Sequence, residues 1–267
     1  LERSSDLPDL TPWIRPGDTI IWGQANAEPL TLTRALVAQR HRFARVRVFC
    51  GIGQSDTLQP GHADAIDFFG YTASGSHRAL AEAGVLDILP GHYSQFPGWM
   101  RERTLPVDVV LVQVSPPDEN GRHSLGMAHE YLLAALDAAR VVIAEVHPDV
   151  PWVQGARTLG MDEIALRVDS QAQLPNPAPA VPRPAEREIG AHVAGLIEDG
   201  ATLQIGIGNV PEAVLQALRQ HRDLGLHTGA AGEGVAALAE AGVITNARKE
   251  IDTGVSINGA LIGTRRL

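Results

Sequence analysis

The run Val107-Asp108-Val109-Val110-Leu111-Val112 is apolar at every position but one. A strand with one wet face alternates apolar and polar residues, so a run like this fits a central strand buried on both sides. Sheets covered on both faces are mostly parallel, with helices as crossovers. Thr19-Ile20-Ile21-Trp22, Val46 to Cys50 and Val141 to Val146 are further short β-branched runs. Leu30 to Gln39 and Tyr131 to Ala139 lie among them with helical apolar spacing. Strand and helix in alternation predict an α/β chain on an open parallel sheet.

The clearest boundary is the stretch holding Pro175, Pro177, Pro179, Pro182 and Pro184. Proline at that density excludes a helix interior or a central strand and predicts an extended connector. The expected organisation is an N-terminal α/β domain over 1–174, a linker over 175–185 and a second α/β segment over 186–267. That segment opens with a helix over Ala185–Glu198, carrying Ile189, Val193, Leu196 and Ile197 at i, i+4, i+7 and i+8. A turn at Asp199-Gly200 and a strand over Thr202–Ile205 follow. The chain's 267 residues allow one large or two ordinary domains, and the second segment is thin for an independent one.

Charge and composition remove several classes. A net charge of −9 argues against a nucleic-acid partner. Lys249 is the only lysine, so Schiff-base chemistry would rest on it alone. Cys50 is the only cysteine, which removes intrachain disulfides and Cys-based zinc sites. The ten histidines include no His-Glu-x-x-His and no close pair on one helix face, so no metal site is expected. Neither a Walker sequence nor a Gly-x-Ser-x-Gly elbow occurs. No 18-residue apolar run predicts a membrane span, and Leu1 to Pro16 shows no secretory h-region. A cytoplasmic address is the default expectation. The start without Met suggests a trimmed chain.

The most suggestive local chemistry is Gly206-Ile207-Gly208-Asn209-Val210-Pro211, a strand-to-helix turn. Its glycines let backbone approach an anionic ligand, and free N–H groups at a helix start attract negative charge. Pro211 suits a first helical turn and stands where a dinucleotide fingerprint would need its third glycine. Turn geometry alone also accounts for this pattern. Ser115-Pro116-Pro117-Asp118-Glu119-Asn120-Gly121 follows the strongest strand, where parallel sheets place site loops, and reads equally as a rigid turn. His92-Tyr93-Ser94-Gln95 follows a strand over Leu86–Leu89 and could line the same edge. Cys50 ends a buried strand and reads as core.

Several segments together resemble the acetyl-CoA hydrolase/transferase family of class I CoA-transferases, the 4-hydroxybutyrate CoA-transferase-like group among them. They are Pro16-Gly17-Asp18, Glu28-Pro29, Val107-Asp108 through Asp118, and Gly121 through Gly126. The series continues with Asp199 through Gly208, Asp223 through Thr228, Gly242 through Asn246, and Gly259 through Thr264. The resemblance implies two related open parallel-sheet α/β domains, the second incomplete in this chain, usually in a homo-oligomer. Either a longer gene product or a partner chain would then complete the second domain.

The implied substrates are an acyl-CoA and a carboxylic acid, with coenzyme A as substrate and no permanently bound cofactor. In the family a glutamate attacks the thioester, giving an acyl-glutamyl anhydride and then a glutamyl-CoA thioester. Gly206, Ile207, Gly208 and Asn209 would supply donors near the thioester oxygen, and Glu28, Ser94 and Gln95 would line the substrate site. The family glutamate follows a His-Thr pair, yet here the order is His227-Thr228-Gly229, so that position has no side chain. The nearby acid is Glu233. Three functions stay open: CoA transfer, hydrolysis with Glu233 as base, and silent CoA binding or scaffolding.

Overall fold

The computed structural model describes residues 7–155 and 157–267. It forms two compact units, one ending at Pro175 and the other spanning Asn176–Leu267. Residues 1–6 of the segment over 1–16 that was read for a secretory h-region lie outside the described residues. No described helix is long and apolar enough to cross a membrane.

The first unit holds β1 (Thr19–Trp22), β2 (Val46–Cys50), β3 (Ile66–Gly70), β4 (Leu86–Ile88), β5 (Val109–Val114), β6 (His123–Ser124), β7 (Val141–Val146), β8 (Thr158–Leu159) and β9 (Leu166–Asp169). Its helices are α1 (Leu30–Gln39), α2 (Arg78–Glu82), α3 (Phe96–Arg101) and α4 (Leu132–Ala138). Seven strands make one parallel sheet in the order β4-β3-β2-β1-β5-β7-β9, while β6 and β8 pair antiparallel beside it. β5 and β7 are buried at all positions, as their apolar runs require. The chain winds outward from β1 to β4 on one side and from β5 to β9 on the other. The strand order therefore reverses between β1 and β5, which is where open α/β sheets form a crevice.

Buried polar groups pin this crevice. Glu145, at the end of β7, accepts the amides of Thr31 (2.9 Å) and Leu32 (3.1 Å) at the start of α1, and the Ser170 hydroxyl at 2.5 Å. A carboxylate at a helix start satisfies donors that the helix itself leaves unpaired. Asn26 Nδ2 donates to the Pro175 carbonyl at 3.0 Å, tying down the beginning of the proline-rich stretch. Residues 172–183 form neither helix nor strand.

The second unit stacks α5 (Pro184–Ala194), α6 (Asn209–Ala217) and α7 (Glu233–Glu240) with a parallel sheet of β10 (Thr202–Leu203), β11 (Gly225–Ala231) and β12 (Ile257–Leu261), in the order β10-β11-β12. Its core gathers Leu203, Val214, Leu218, Leu226, Val235 and Leu238.

The apolar spacing of α5 does not mark its buried face. The helix expected to reach Glu198 ends at Ala194, beyond which Leu196 is 85 % exposed and Ile197 is half-buried against the core. Within it Ile189 and Val193 are exposed, while Glu186, Gly190 and Ala194 face inward. The reason is close approach. A Cβ on Gly190 would stand 2.6 Å from the backbone carbonyl of Ala213 in α6, so only small side chains fit between the two helices. Beneath β11 lies Lys249, 5 % exposed, with Nζ donating to the carbonyls of Leu226 (3.1 Å) and Val255 (2.7 Å).

Candidate functional site

In the second unit β10 stops at Leu203, opposite Leu226, while β11 and β12 pair on to Ala231 and Leu261. The paired register runs Leu203↔Leu226 between β10 and β11, and Thr228↔Asn258 and Ala230↔Ala260 between β11 and β12. Between β11 and β12 it sets Gly229 opposite Gly259, and Gly206 lies three residues past the end of β10. His227 and Ile257 pair two residues earlier. Leu226 and Thr228 point inward, and His227 and Gly229 outward.

β10 ends early, and a side chain replaces its next rung. Thr228 Oγ1 accepts the Ile205 amide at 3.1 Å and donates to the Ile205 carbonyl at 2.6 Å. The freed backbone then turns through Gly208, whose φ of +115° only glycine adopts readily, into α6. Among the described residues the amides of Ile207, Gly208 and Asn209 find no protein acceptor. This arrangement can stabilise an oxygen on which negative charge develops. Asn209 Nδ2 lies 3.4 Å from Glu186, whose carboxyl the Arg183 side chain and amide hold down to about 2.

Gly229 is not a constrained glycine. Its φ is not positive, and a Cβ built on it meets nothing within 4 Å. Glu233 opens α7 four residues later, where its Oε1 accepts the Thr264 amide. That carboxylate ties the last residues of the chain to the start of α7.

The remaining predicted residues belong to the first unit. Glu28 follows β1 and is 4 % exposed. Burial raises its carboxyl above the usual range, against the hydrogen bonds of Ser55, Thr33 and Thr57; the Thr33 hydroxyl donates to it at 2.9 Å. Gln113, at the end of β5, donates to the Glu28 carbonyl at 3.2 Å across the crevice. Ser94 and Gln95 sit in an exposed turn after edge strand β4, which β3 and β2 separate from β1. Gln95 Oε1 accepts the amide of its neighbour His92 at 2.8 Å. Cys50 is buried, and its thiol is pushed up by burial and by the nearby Glu28 charge.

A further polar network spans the same edge of the first unit, and the sequence reading did not assemble it. Gln24 Nε2 donates to both oxygens of Glu130, at 2.8 and 2.7 Å. Tyr71 donates to Gln24 Oε1 at 2.5 Å, and the Tyr93 hydroxyl bonds Glu130 as well. Burial pushes the Glu130 carboxyl up to about 6 despite those bonds. Its backbone is also unusual for a non-glycine residue, with φ +34°. The available signal was positional: Gln24 and Tyr71 each follow a strand closely at its carboxyl end. Among the described residues no cluster of His, Cys, Asp and Glu suits a metal ion.

Comparison with known proteins adds to this geometry. Residues 5–170 match the Acetyl-CoA hydrolase/transferase N-terminal domain. The 4-hydroxybutyrate coenzyme A transferase of Clostridium kluyveri is 33 % identical over 250 residues, covering 93 % of this chain and 58 % of that protein. The succinyl-CoA:cyclohexane-1-carboxylate CoA transferase of Geobacter metallireducens is 30 % identical, over 95 % of this chain and 58 % of its own length. Among solved structures, RipA from Yersinia pestis superposes with a TM-score of 0.89 at 29 % identity, over 96 % of this chain and 62 % of that one. The 4-hydroxybutyrate CoA-transferase of Porphyromonas gingivalis gives 0.80 at 28 % identity, over 97 % and 62 %. The chain thus spans about three-fifths of the length of these relatives. With a match over more than half its residues, the chain belongs to the acetyl-CoA hydrolase/transferase family.

Proposed function

We propose that this chain acts on a short acyl-CoA thioester and passes the CoA to a carboxylic acid. The observation carrying this reading is the turn after β10, held beside Gly229 by the Thr228–Ile205 bonds, with the unpaired amides of Ile207, Gly208 and Asn209 in it. The thioester carbonyl oxygen sits against those amides, which stabilise the charge that grows on it during attack. The relatives support the substrate class, since their names describe transfer of CoA between small carboxylic acids.

Gly229 changes how the transfer runs. With no side chain there, the acceptor's own carboxylate takes the open position and attacks the thioester carbon. The C–S bond breaks and leaves a mixed anhydride and CoA thiolate. The thiolate then adds to the acceptor carbonyl, the C–O bond breaks, and the original acyl group departs as its carboxylate. Atoms balance with no further reactant.

Hydrolysis is the second reading, favoured by the open space over Gly229, which admits water as readily as a carboxylate. Glu233 is the base this reading would first assign. Incubating the purified protein with acetyl-CoA, with and without succinate, tests both. Succinyl-CoA formation supports transfer. Thiol release independent of succinate supports hydrolysis. Tight acyl-CoA binding with no turnover would overturn both and leave a silent binder.

A further inference from the structure

We infer that His227 is a catalytic acid–base at this site, and that it makes water an acceptor for the acyl group. The inference rests on the thioester-acting reading above and adds a residue and a reaction to it.

His227 and Gly229 lie two residues apart on one strand, so both project from the same exposed face of the second sheet. Two residues of extended chain span about 7 Å, enough for one water between an imidazole and a carbonyl carbon over Gly229. The imidazole of His227 makes no hydrogen bond among the described residues. Its partner across the sheet, Ile257, carries no charge. Buried His123, by contrast, has its Nδ1 bonded to the Ser115 carbonyl at 2.7 Å.

Glu233 is the competing base, and its position weakens its claim. Its Oε1 is engaged by the Thr264 amide and it stands at the head of α7, off the strand that carries Gly229. Imidazole is also the side chain most used to take and return a proton in catalysis. In the reaction, His227 accepts a proton from water as the water oxygen bonds to the thioester carbon. The oxyanion rests on the amides after Gly206. The C–S bond then breaks, and the imidazolium returns the proton to the CoA thiolate. One acyl-CoA and one water give one carboxylic acid and one free thiol.

The test measures thiol release from acetyl-CoA without any acceptor acid, in wild-type protein, His227→Gln and His227→Gly. Removing a general base of this kind should slow release about 100-fold, and imidazole in solution should restore part of the rate to His227→Gly. Restoration is a response that a merely structural histidine would not give. Release in His227→Gln within about threefold of wild type, or no response to imidazole, overturns the role of His227 alone. If wild-type protein consumes no acetyl-, propionyl- or butyryl-CoA, with or without succinate, the thioester reading itself fails.

Discussion

Thr228 holds Ile205 by both backbone groups, accepting a hydrogen bond from its amide at 3.1 Å and donating one to its carbonyl at 2.6 Å. One hydroxyl thereby closes the last rung between β10 and β11, immediately before Gly206 and Gly229. Thr228→Val keeps the shape and removes both bonds. Leaving those groups unpaired should cost about 1–3 kcal/mol, measurable by denaturant unfolding. Thr228→Ser should recover most of that loss. Equal stability of the valine variant would show that the rung is dispensable.

Gly229→Glu should fold as the parent does, because the position is open and its φ is not left-handed. The new carboxylate would take the place left to the acceptor acid. Incubation with acetyl-CoA should then yield a glutamyl-CoA thioester, seen by mass spectrometry on the peptide containing residue 229. A stable variant that forms no adduct would separate this position from the thioester carbon.

Gly190→Ala sets two effects against each other. Alanine in a helix gains about 1 kcal/mol over glycine. Here the added methyl meets the Ala213 carbonyl at 2.6 Å, and overpacking of this kind costs about 1–3 kcal/mol. We expect net destabilisation, read from a lower denaturant midpoint at unchanged slope. A gain in stability would mean that α5 can move away from α6.

Glu186 predicts a pH dependence. Its carboxyl is held down to about 2 by the Arg183 side chain first, then by the Arg183 amide and Asn209, against an ordinary value of 4.5. A depressed folded pKa contributes stability above the unfolded value, lost as pH falls through the folded one. Glu186→Gln should lower the thermal midpoint at pH 7. The gap to wild type should narrow below pH 4.5 and close near pH 2. A gap independent of pH would deny the charged pair its part.

Glu130 has the opposite sign. Burial raises its carboxyl to about 6 from an ordinary 4.5, so the folded protein holds this proton more tightly than the unfolded chain. Its contribution to stability is greatest below pH 4.5 and is lost as pH rises through about 6. Side-chain ¹³C shifts should titrate with a midpoint near 6. Gln24→Leu removes a bond that favours the charged form and should move the midpoint higher. A midpoint at or below 4.5 would mean that water reaches the carboxylate freely.

Much of this architecture was legible because it depends on local pattern. The apolar run at Val107–Val112 announced a doubly covered strand, and the prolines from Pro175 to Pro182 announced a stretch without helix or strand, although Pro184 already opens α5 instead of ending a linker at 185. The strand-then-turn pattern at Gly206 was equally local. α5 misled, since its large apolar residues at 189 and 193 suggested a buried stripe that Gly190 and Ala194 supply instead. Helix contact by close approach selects for smallness, and hydrophobic spacing carries no signal of it. The Glu130 network was out of reach for another reason. Residues 24, 71, 93 and 130 become neighbours only when strand ends converge, and no spacing along the chain records that convergence.

The burial of Lys249 bears on what the protein surface can suffer. Thioesters and other activated acyl compounds acylate free amines without any enzyme, and lysine ε-amines are their usual victims. Here the one lysine is turned inward onto the Leu226 and Val255 carbonyls, and the other 21 basic side chains are guanidinium groups, poor nucleophiles that stay protonated. The fold thus exposes no ε-amine to stray acylation, and amine-directed crosslinkers should leave Lys249 unlabelled until the second unit opens.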